Sequence, residues 1–501
     1  MIISALFKER FNHSDCFILW GIVRRFSVII YCMFHAGLLS AQDDFFERKY
    51  NVLFIVADDM RPTLGCYGDE RAITPYIDNL ARRSIVFKNA YCQQAVCNPS
   101  RASVLTGLRP DENGVTDLVT HFRQKIPDVV TLPQAFKNAG YTSIGIGKVF
   151  HGSKRTLDSV SWSVPSLVQS FTKQDEYYLP ENRKGNAKAA SYEFVAEQDD
   201  DYPDGKIANA AITALQQFRE SGESFFMAVG FNKPHLPFCA PRKYWNMYEG
   251  SDFSKMSHKF KPLGAPDIAF HQWQELRGYS DIPKDGAIPS QKEQELWRGY
   301  YACVSYVDTQ IGRVLSELER LDMSENTIIV FWGDHGYHLG EQGLWCKSTN
   351  YELDTRIPLL ISVPDITDKG SHTSAIVEAL DIYPTLLELC GLKSHHRLSG
   401  KSLTPLLENP NCRWEGVAFS QFCRPYEAIT KQHPTHMGYT VRIPGWRYVA
   451  WYDLNTGSVV NTELYNLKKG NIELHNLSGD KRYKKVEQKL HSLIDAYYSK
   501  R

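Results

Sequence analysis

Asn51-Val52-Leu53-Phe54-Ile55-Val56 runs into Ala57-Asp58-Asp59: an unbroken apolar segment of strand length that ends in two acids. A strand with one wet face alternates apolar and polar residues. A run with no polar break suits a strand covered on both faces, as in a parallel sheet packed between helices. Working outward, apolar runs of similar length recur at 225–229, 327–332 and 359–363, and 141–146 reads as a further strand. Helix signals lie between them. Thr74-Pro75 reads as an N-cap followed by a first-turn proline, and Thr131-Leu132-Pro133 opens a second helix closed by Gly140. Residues 290–321 carry apolar side chains at helical spacing over one long segment. This alternation predicts an α/β fold: a large mixed, mostly parallel sheet flanked by helices.

Two polar stretches interrupt the pattern. Residues 153–204 are rich in Asp, Glu, Lys and Tyr and read as an insertion or lid, and 249–290 reads as a long loop. After Gly391 the pattern changes. A hairpin is expected around the Pro444-Gly445 turn, with strands at 438–442 and 446–451, and a last helix at 481–498. The predicted division is an α/β domain over 42–391 and a smaller antiparallel-sheet-plus-helix subdomain over 392–501.

The first 41 residues read as a signal peptide. Arg24-Arg25 precede the apolar run 26–34, which continues to Leu38-Leu39, and Leu39-Ser40-Ala41 offers a small-residue cleavage site. Export to the periplasm or medium follows, with no stable membrane span, because the run is short; a signal anchor is the alternative. The chain has 57 basic and 57 acidic residues, so it lacks the charge footprint of a nucleic-acid binder. An anionic substrate would have to be held by local cations. Export permits disulfides. Of the eleven cysteines, Cys412 and Cys423 form the candidate pair, with two free thiols as the alternative.

Ligands of open α/β sheets bind at the carboxyl ends of the strands. Asp58-Asp59 and Asp334-His335 both follow strands. If those strands are neighbours, three carboxylates converge and need a cation. Carboxylate oxygens favour Ca²⁺ or Mg²⁺, and spacing does not choose between them; taken alone, an Asp-Asp pair also suits a loop cap. Lys148 and His151 follow the 141–146 strand. A phosphate loop there fails, since Val149 stands where Ser or Thr is required. His235, between Pro234 and Pro237, and Lys347, after Gly343-Leu344-Trp345-Cys346, would each read in isolation as a loop histidine and a surface lysine. Cys97 stands just before a helix that Pro99 starts and Gly107 stops, next to amides that favour an anion, which suits a reactive thiol.

Cys97-Asn98-Pro99-Ser100-Arg101, followed by Leu105-Thr106-Gly107, resembles the sulfatase signature, and the resemblance extends over nearly the whole chain beyond the leader. It implies an alkaline-phosphatase-like fold and hydrolysis of sulfate esters. It implies that a formylglycine-generating maturation enzyme oxidises Cys97 to formylglycine, whose hydrate is the nucleophile. It implies one bound Ca²⁺, rather than Mg²⁺, held by Asp58, Asp59, Asp334, His335 and residue 97. Arg101 would lower the pKa of the attacking hydroxyl, while Lys148 and Lys347 stabilise the sulfuryl oxygens. His151 or His235 would protonate the leaving oxygen, and the place of His151 after Lys148 favours it. His335 in place of the commoner Asn, the spacing Gly147-Lys148-Val149-Phe150-His151 and the Lys233-Pro234-His235-Leu236-Pro237 core resemble the iduronate-2-sulfatase-like branch. The substrate implied is a uronic-acid-containing sulfated poly- or oligosaccharide, either a glycosaminoglycan or an algal glycan such as ulvan. Two alternatives stand beside it: a phosphatase or phosphodiesterase of the same superfamily, and a catalytically dead glycan-binding relative.

Overall fold

The computed structural model describes residues 49–501, apart from 153–154, 169–172, 185–187, 254–257, 366–368, 431–432, 469, 471 and 499–501. The expected signal peptide lies outside the described residues. The main elements, in chain order, begin with β1 (Asn51–Asp58), α1 (Pro75–Ala81), β2 (Ile85–Tyr91), α2 (Cys97–Thr106), α3 (Leu132–Asn138) and β3 (Thr142–Gly147). They continue with α4 (Pro203–Ser221), β4 (Phe225–Pro234), α5 (Ser290–Arg320), β5 (Thr327–Gly333), β6 (Arg356–Ile357), β7 (Leu359–Ser362), β8 (His372–Glu378) and α6 (Ile382–Leu389). The C-terminal part contributes β9 (Ala418–Arg424), β10 (His436–Ile443), β11 (Trp446–Asp453), β12 (Val459–Asn466) and α7 (Lys484–Tyr498).

Strands β1 to β8 form one mixed sheet in the order β6-β2-β7-β5-β1-β4-β3, with β8 beside β2. β1 is parallel to both β4 and β5, and β3 is parallel to β4. The 359–362 strand, grouped in the sequence with the others, runs antiparallel to both β5 and β2. That reversal makes β2 parallel to β5 across it. The carboxyl ends of β1, β2, β3, β4 and β5 therefore open on one edge.

The unbroken run in β1 is explained by its two covers. Leu53, Ile55 and Ala57 enter the core formed with α1, α4 and α5. Val52, Phe54 and Val56 enter the opposite core, formed with α2, α3 and α6. Each large side chain buried this way contributes about 1.5–3 kcal/mol, which offsets the ~1–2 kcal/mol of backbone entropy lost per residue. On the second face Phe54 packs on Trp332 and Phe226, and Phe226 packs on Phe136 of α3.

Two helix starts show how local reading and tertiary structure divide the work. Thr131 caps α3 as expected, in a reciprocal capping box with Gln134. Thr74 does not cap α1; its hydroxyl accepts from the Gly65 amide and donates to Asp78. The amides of Tyr76 and Ile77 donate instead to the carboxylate of Asp308, in the middle of α5. α5 covers 31 residues, close to the predicted span.

Strands β9 to β12 form a separate antiparallel meander. The expected hairpin is β10–β11, and α7 packs on the sheet through Leu490 and Ile494. The apolar core nevertheless crosses the expected boundary at 391/392, since Phe422, Cys423 and Met437 pack into the same cluster as Phe54. Cys412 and Cys423 are both free thiols, so the candidate disulfide is absent. Among the described residues, no helix is long and apolar enough to cross a membrane.

Candidate active site

Five strand ends deliver the site. β1 delivers Asp58 and Asp59, β5 delivers Asp334 and His335, β3 delivers Lys148 and His151, and β4 delivers His235. β2, which the sequence reading passes over, leads into α2 and so delivers Cys97. Cys97 is the first residue of α2 rather than the residue before it, and Gly107 closes the helix in the left-handed region. Ser100 donates its hydroxyl proton to the Asp334 carbonyl, tying the helix start to β5. β3 and β4 approach so closely that a side chain at Gly147 would strike the Gly230 carbonyl, and one at Gly230 would strike the Lys148 carbonyl. The Lys148 amide donates to Gly230 O at 2.8 Å across that gap. The longer spacing to His151 is taken up by Val149 and Phe150, which are buried in the core.

The acids converge as expected. Ligand atoms of Asp58, Cys97, Asp334 and His335 all lie within 4.8 Å of one another, as do those of Asp58, Asp59, Cys97 and His235. Asp59 occupies the left-handed region (φ 61°), an uncommon conformation for a non-glycine residue, held here by hydrogen bonds from its neighbours. Its amide donates to Asp334 Oδ1, and its carboxylate accepts twice from Lys347 Nζ, at 2.7 and 3.0 Å. His335 engages the Gly336 carbonyl through Nδ1, which turns Nε2 toward Asp59 Oδ1 (3.3 Å) and Cys97 Sγ (3.4 Å). An imidazole anchored this way presents its other nitrogen to a ligand. The donor set fits a divalent cation: the acids are fully buried, their oxygens converge with the His335 nitrogen, and burial leaves Asp334 only partly compensated by its neighbours.

Charge is distributed unevenly. Burial pushes the Asp334 carboxyl up, only partly offset by His335 and Arg101. Burial acts on Asp58 too, but Lys148, His235 and Arg101 outweigh it and hold Asp58 well below the usual carboxylate range. The Cys97 thiol, 2% exposed, is pushed far up by burial and by the charge of Asp58. The reactive thiol suggested by the helix start is therefore not what the fold provides: a thiol kept protonated is a poor nucleophile. Arg101, expected beside the reacting oxygen, pairs with Asp58 and Asp334 and also brings its charge close to Cys97. Its Nε donates to Asp334 (2.8 Å), one terminal nitrogen donates to Asp58 (3.0 Å), and the other donates to the Lys148 and Val149 carbonyls.

The remaining groups line a pocket of about 760 Å³ above Cys97. Lys148 pairs with Asp58 and reaches Cys97 Sγ at 4.0 Å. Lys347 sits between Cys346 (φ 71°) and Ser348 (φ 90°), and this strained turn aims its ammonium inward. His151 is held down at about 3 by burial and by the Lys148 charge, and is therefore neutral near pH 7. His235 differs: Nδ1 faces Leu236 O at 2.5 Å and Nε2 faces Glu275 Oε1 at 3.2 Å. Both ring nitrogens of His235 therefore face an oxygen, which fixes the orientation of the ring.

Sequence reading misses Glu275, which bridges His235 and Lys347 (2.9 Å). It lies in the 249–290 segment, where no motif marks it. The structural role of the C-terminal subdomain is missed as well. Arg424 donates to the carbonyls of Ile268, Ala269 and Ser348, so one guanidinium holds segments leading to Glu275 and to Lys347. Arg447 donates to Asn350 O and pairs with Glu352 and Glu473.

Comparison with known proteins agrees with this layout. The family profile described as Sulfatase matches residues 50–392, and that described as N-sulphoglucosamine sulphohydrolase, C-terminal, matches 340–500. Iduronate 2-sulfatase of Mus musculus is 32% identical, the match covering 91% of this chain and 95% of that one. The Homo sapiens protein of that name is 33% identical, with 86% and 91% covered. A structure solved in complex with its substrate D-glucosamine-2-N,6-O-disulfate superposes with a TM-score of 0.72 at 25% identity, covering 90% of this chain and 98% of the other.

Proposed function

The chain belongs to the sulfatase family and is a sulfuric ester hydrolase, and from that premise we propose that it is an exported enzyme acting on a uronic-acid-containing sulfated poly- or oligosaccharide, a glycosaminoglycan or an algal glycan such as ulvan. The observation that carries this reading is the meeting of Cys97 with Asp58, Asp334 and His335 on the floor of a pocket walled by Lys148, Lys347 and His235. The iduronate-type relatives support the uronate part, as do the Lys148–His151 and Lys233–Pro237 motifs.

Cys97 is the precursor of formylglycine, which supplies an oxygen nucleophile once hydrated. Asp58, Asp59, Asp334, His335 and residue 97 would hold one Ca²⁺, which contributes Lewis acidity and charge neutralisation. The chain's own groups do the rest. Arg101 fixes the orientation of Asp58 and Asp334. Lys148 and Lys347 receive the sulfuryl oxygens and stabilise their charge in a water-poor pocket. We assign proton transfer to the departing sugar oxygen to His235 rather than to the neutral His151, because its ring lines the pocket and is oriented there by Glu275.

The test is the mass of the tryptic peptide carrying residue 97, from protein made in its native host, together with sulfate release from defined disaccharides. Conversion of thiol to aldehyde lowers the mass by about 18 Da. A peptide with only unmodified or disulfide-bonded Cys97 refutes the mechanism. Release from neutral sulfated sugars alone refutes the uronate assignment.

A further inference from the structure

The pocket holds a third lysine that the chemistry above does not use. Lys148 pairs with Asp58, and Lys347 with Asp59 and Glu275, while the charge of Lys188 also acts on the Glu275 carboxylate. Lys188 lines the same pocket from the 153–204 insertion, beside Asn232, Gln274 and Glu275. Its ammonium donates to the Glu275 main-chain carbonyl at 2.6 Å and lies 4.7 Å from the Tyr279 ring centre. Its methylene stem packs on Gly278, where an added side-chain carbon would come within 2.9 Å of Cδ. The cation is thus held in place before any ligand arrives, and a preorganised charge gives up less entropy on binding.

Its position relative to the reaction is set by one residue. The Glu275 side chain touches His235, at the leaving-group side, and Lys347, at the sulfate side. The Glu275 carbonyl touches Lys188. Glu275 thus links Lys188 to both His235 and Lys347, and all four residues line the pocket in which the substrate's sugar would sit. Resting on the sulfatase reading above, we infer that Lys188 reads a second anionic substituent on the sugar that carries the scissile sulfate. That anion is a ring carboxylate or a second sulfate, and the chemistry of recognition is shared: a charge-assisted hydrogen bond to an oxyanion. Lys188 then acts as a specificity element of the pocket, a usual role for a loop residue beside a rigid sheet edge.

The test is a preference ratio, which is insensitive to general loss of activity. kcat/KM is measured for holoenzyme on a sulfated uronate, a disulfated hexosamine and a neutral monosulfated sugar, for wild type, Lys188→Met and Lys188→Arg. Loss of a hydrogen bond to a charged group corresponds to about a 10–100-fold change. Lys188→Met is expected to lower the ratio of dianionic to monoanionic substrate by that factor, chiefly through KM, and Lys188→Arg to retain most of it. If the ratio falls only for the disulfated sugar, the Lys188 subsite stands and the uronate assignment falls. If wild type shows no dianion preference, or Lys188→Met leaves both ratios within about twofold, the inference is wrong even when overall activity drops.

Discussion

Replacing Arg424 by Met should damage catalysis far more than folding. The guanidinium lies at the end of β9, fully buried, and its bonds are to carbonyls: Ile268 and Ala269 at 2.9 Å, Ser348 at 3.1 Å and Cys423 at 2.9 Å. Methionine fills similar volume and strands three carbonyls from two loops. Each costs about 1–3 kcal/mol if left dry. Removing a buried cation whose burial already disfavours its charge returns part of that cost. A net loss of about 3 kcal/mol is expected, a shift of a few degrees in the melting temperature of a chain this size. Activity has no such cushion. Ser348 adjoins Lys347, and Ile268 and Ala269 lead to Glu275. A shift of ~1 Å in groups that position sulfate costs on the order of 100-fold in rate. The assay pairs thermal melting with kcat and KM for sulfate release, at a temperature where the variant is fully folded. If kcat/KM stays within about threefold of wild type there, the C-terminal sheet does not position the site. Arg424→Lys, with one nitrogen in place of three, should resemble Met rather than rescue it.

Other outcomes follow from the same geometry. Cys97→Ala should abolish sulfate release while the melting curve stays within a few degrees, and residual turnover above about a thousandth of wild type would show a different nucleophile. Chelation should lower both activity and melting temperature, because Asp58, Asp59 and Asp334 lose a counter-charge, and re-addition of Ca²⁺ should restore both better than Mg²⁺. His235→Ala should be rescued by an activated aryl leaving group, whereas His151→Ala should lose similar factors on activated and unactivated esters; the reverse pattern would return the acid role to His151. Burial pushes Glu352 up, but Arg442 and Arg447 hold it at about 2. A depressed carboxylate stabilises the fold above its unfolded pKa near 4.5, and that share, about 3 kcal/mol, is lost as pH falls from 4.5 through 2. Acid unfolding followed by tryptophan fluorescence should therefore be flatter in this window for Glu352→Gln, and an unchanged slope would contradict the pairing.

How far the sequence was legible depends on the range of the cause. β1 could be read because its burial on both faces is written as an unbroken apolar run. The acids and Lys148 can be read because strand ends carry them, whereas Lys347 is legible only through the sulfatase resemblance. β2 is passed over because Lys88 and Asn89, both half-buried, break its apolar run, although Ile85-Val86-Phe87 and Tyr91 are strong strand formers. Thr74 was misread as a cap because the true cap, Asp308, lies more than two hundred positions away. Glu275 carried no signal, since its function comes only from the loop that brings it to His235. The pairing of Arg101 with Asp58 and Asp334 carries no local signal either, since both acids arrive from other strands.

The depth at which Cys97 lies gives biosynthesis a deadline. A side chain 2% exposed, on a helix whose ten residues are all buried, cannot be reached by another protein's active site once the sheet has closed over it. If residue 97 is oxidised by another protein, as the proposed mechanism requires, that step must precede folding, while the segment around it is still extended. It then competes with the collapse of β2 against β7 and β8. On that reading the yield of folded chain and its specific activity should part company: the faster the chain is produced relative to its modifier, the more of it will be folded and inert.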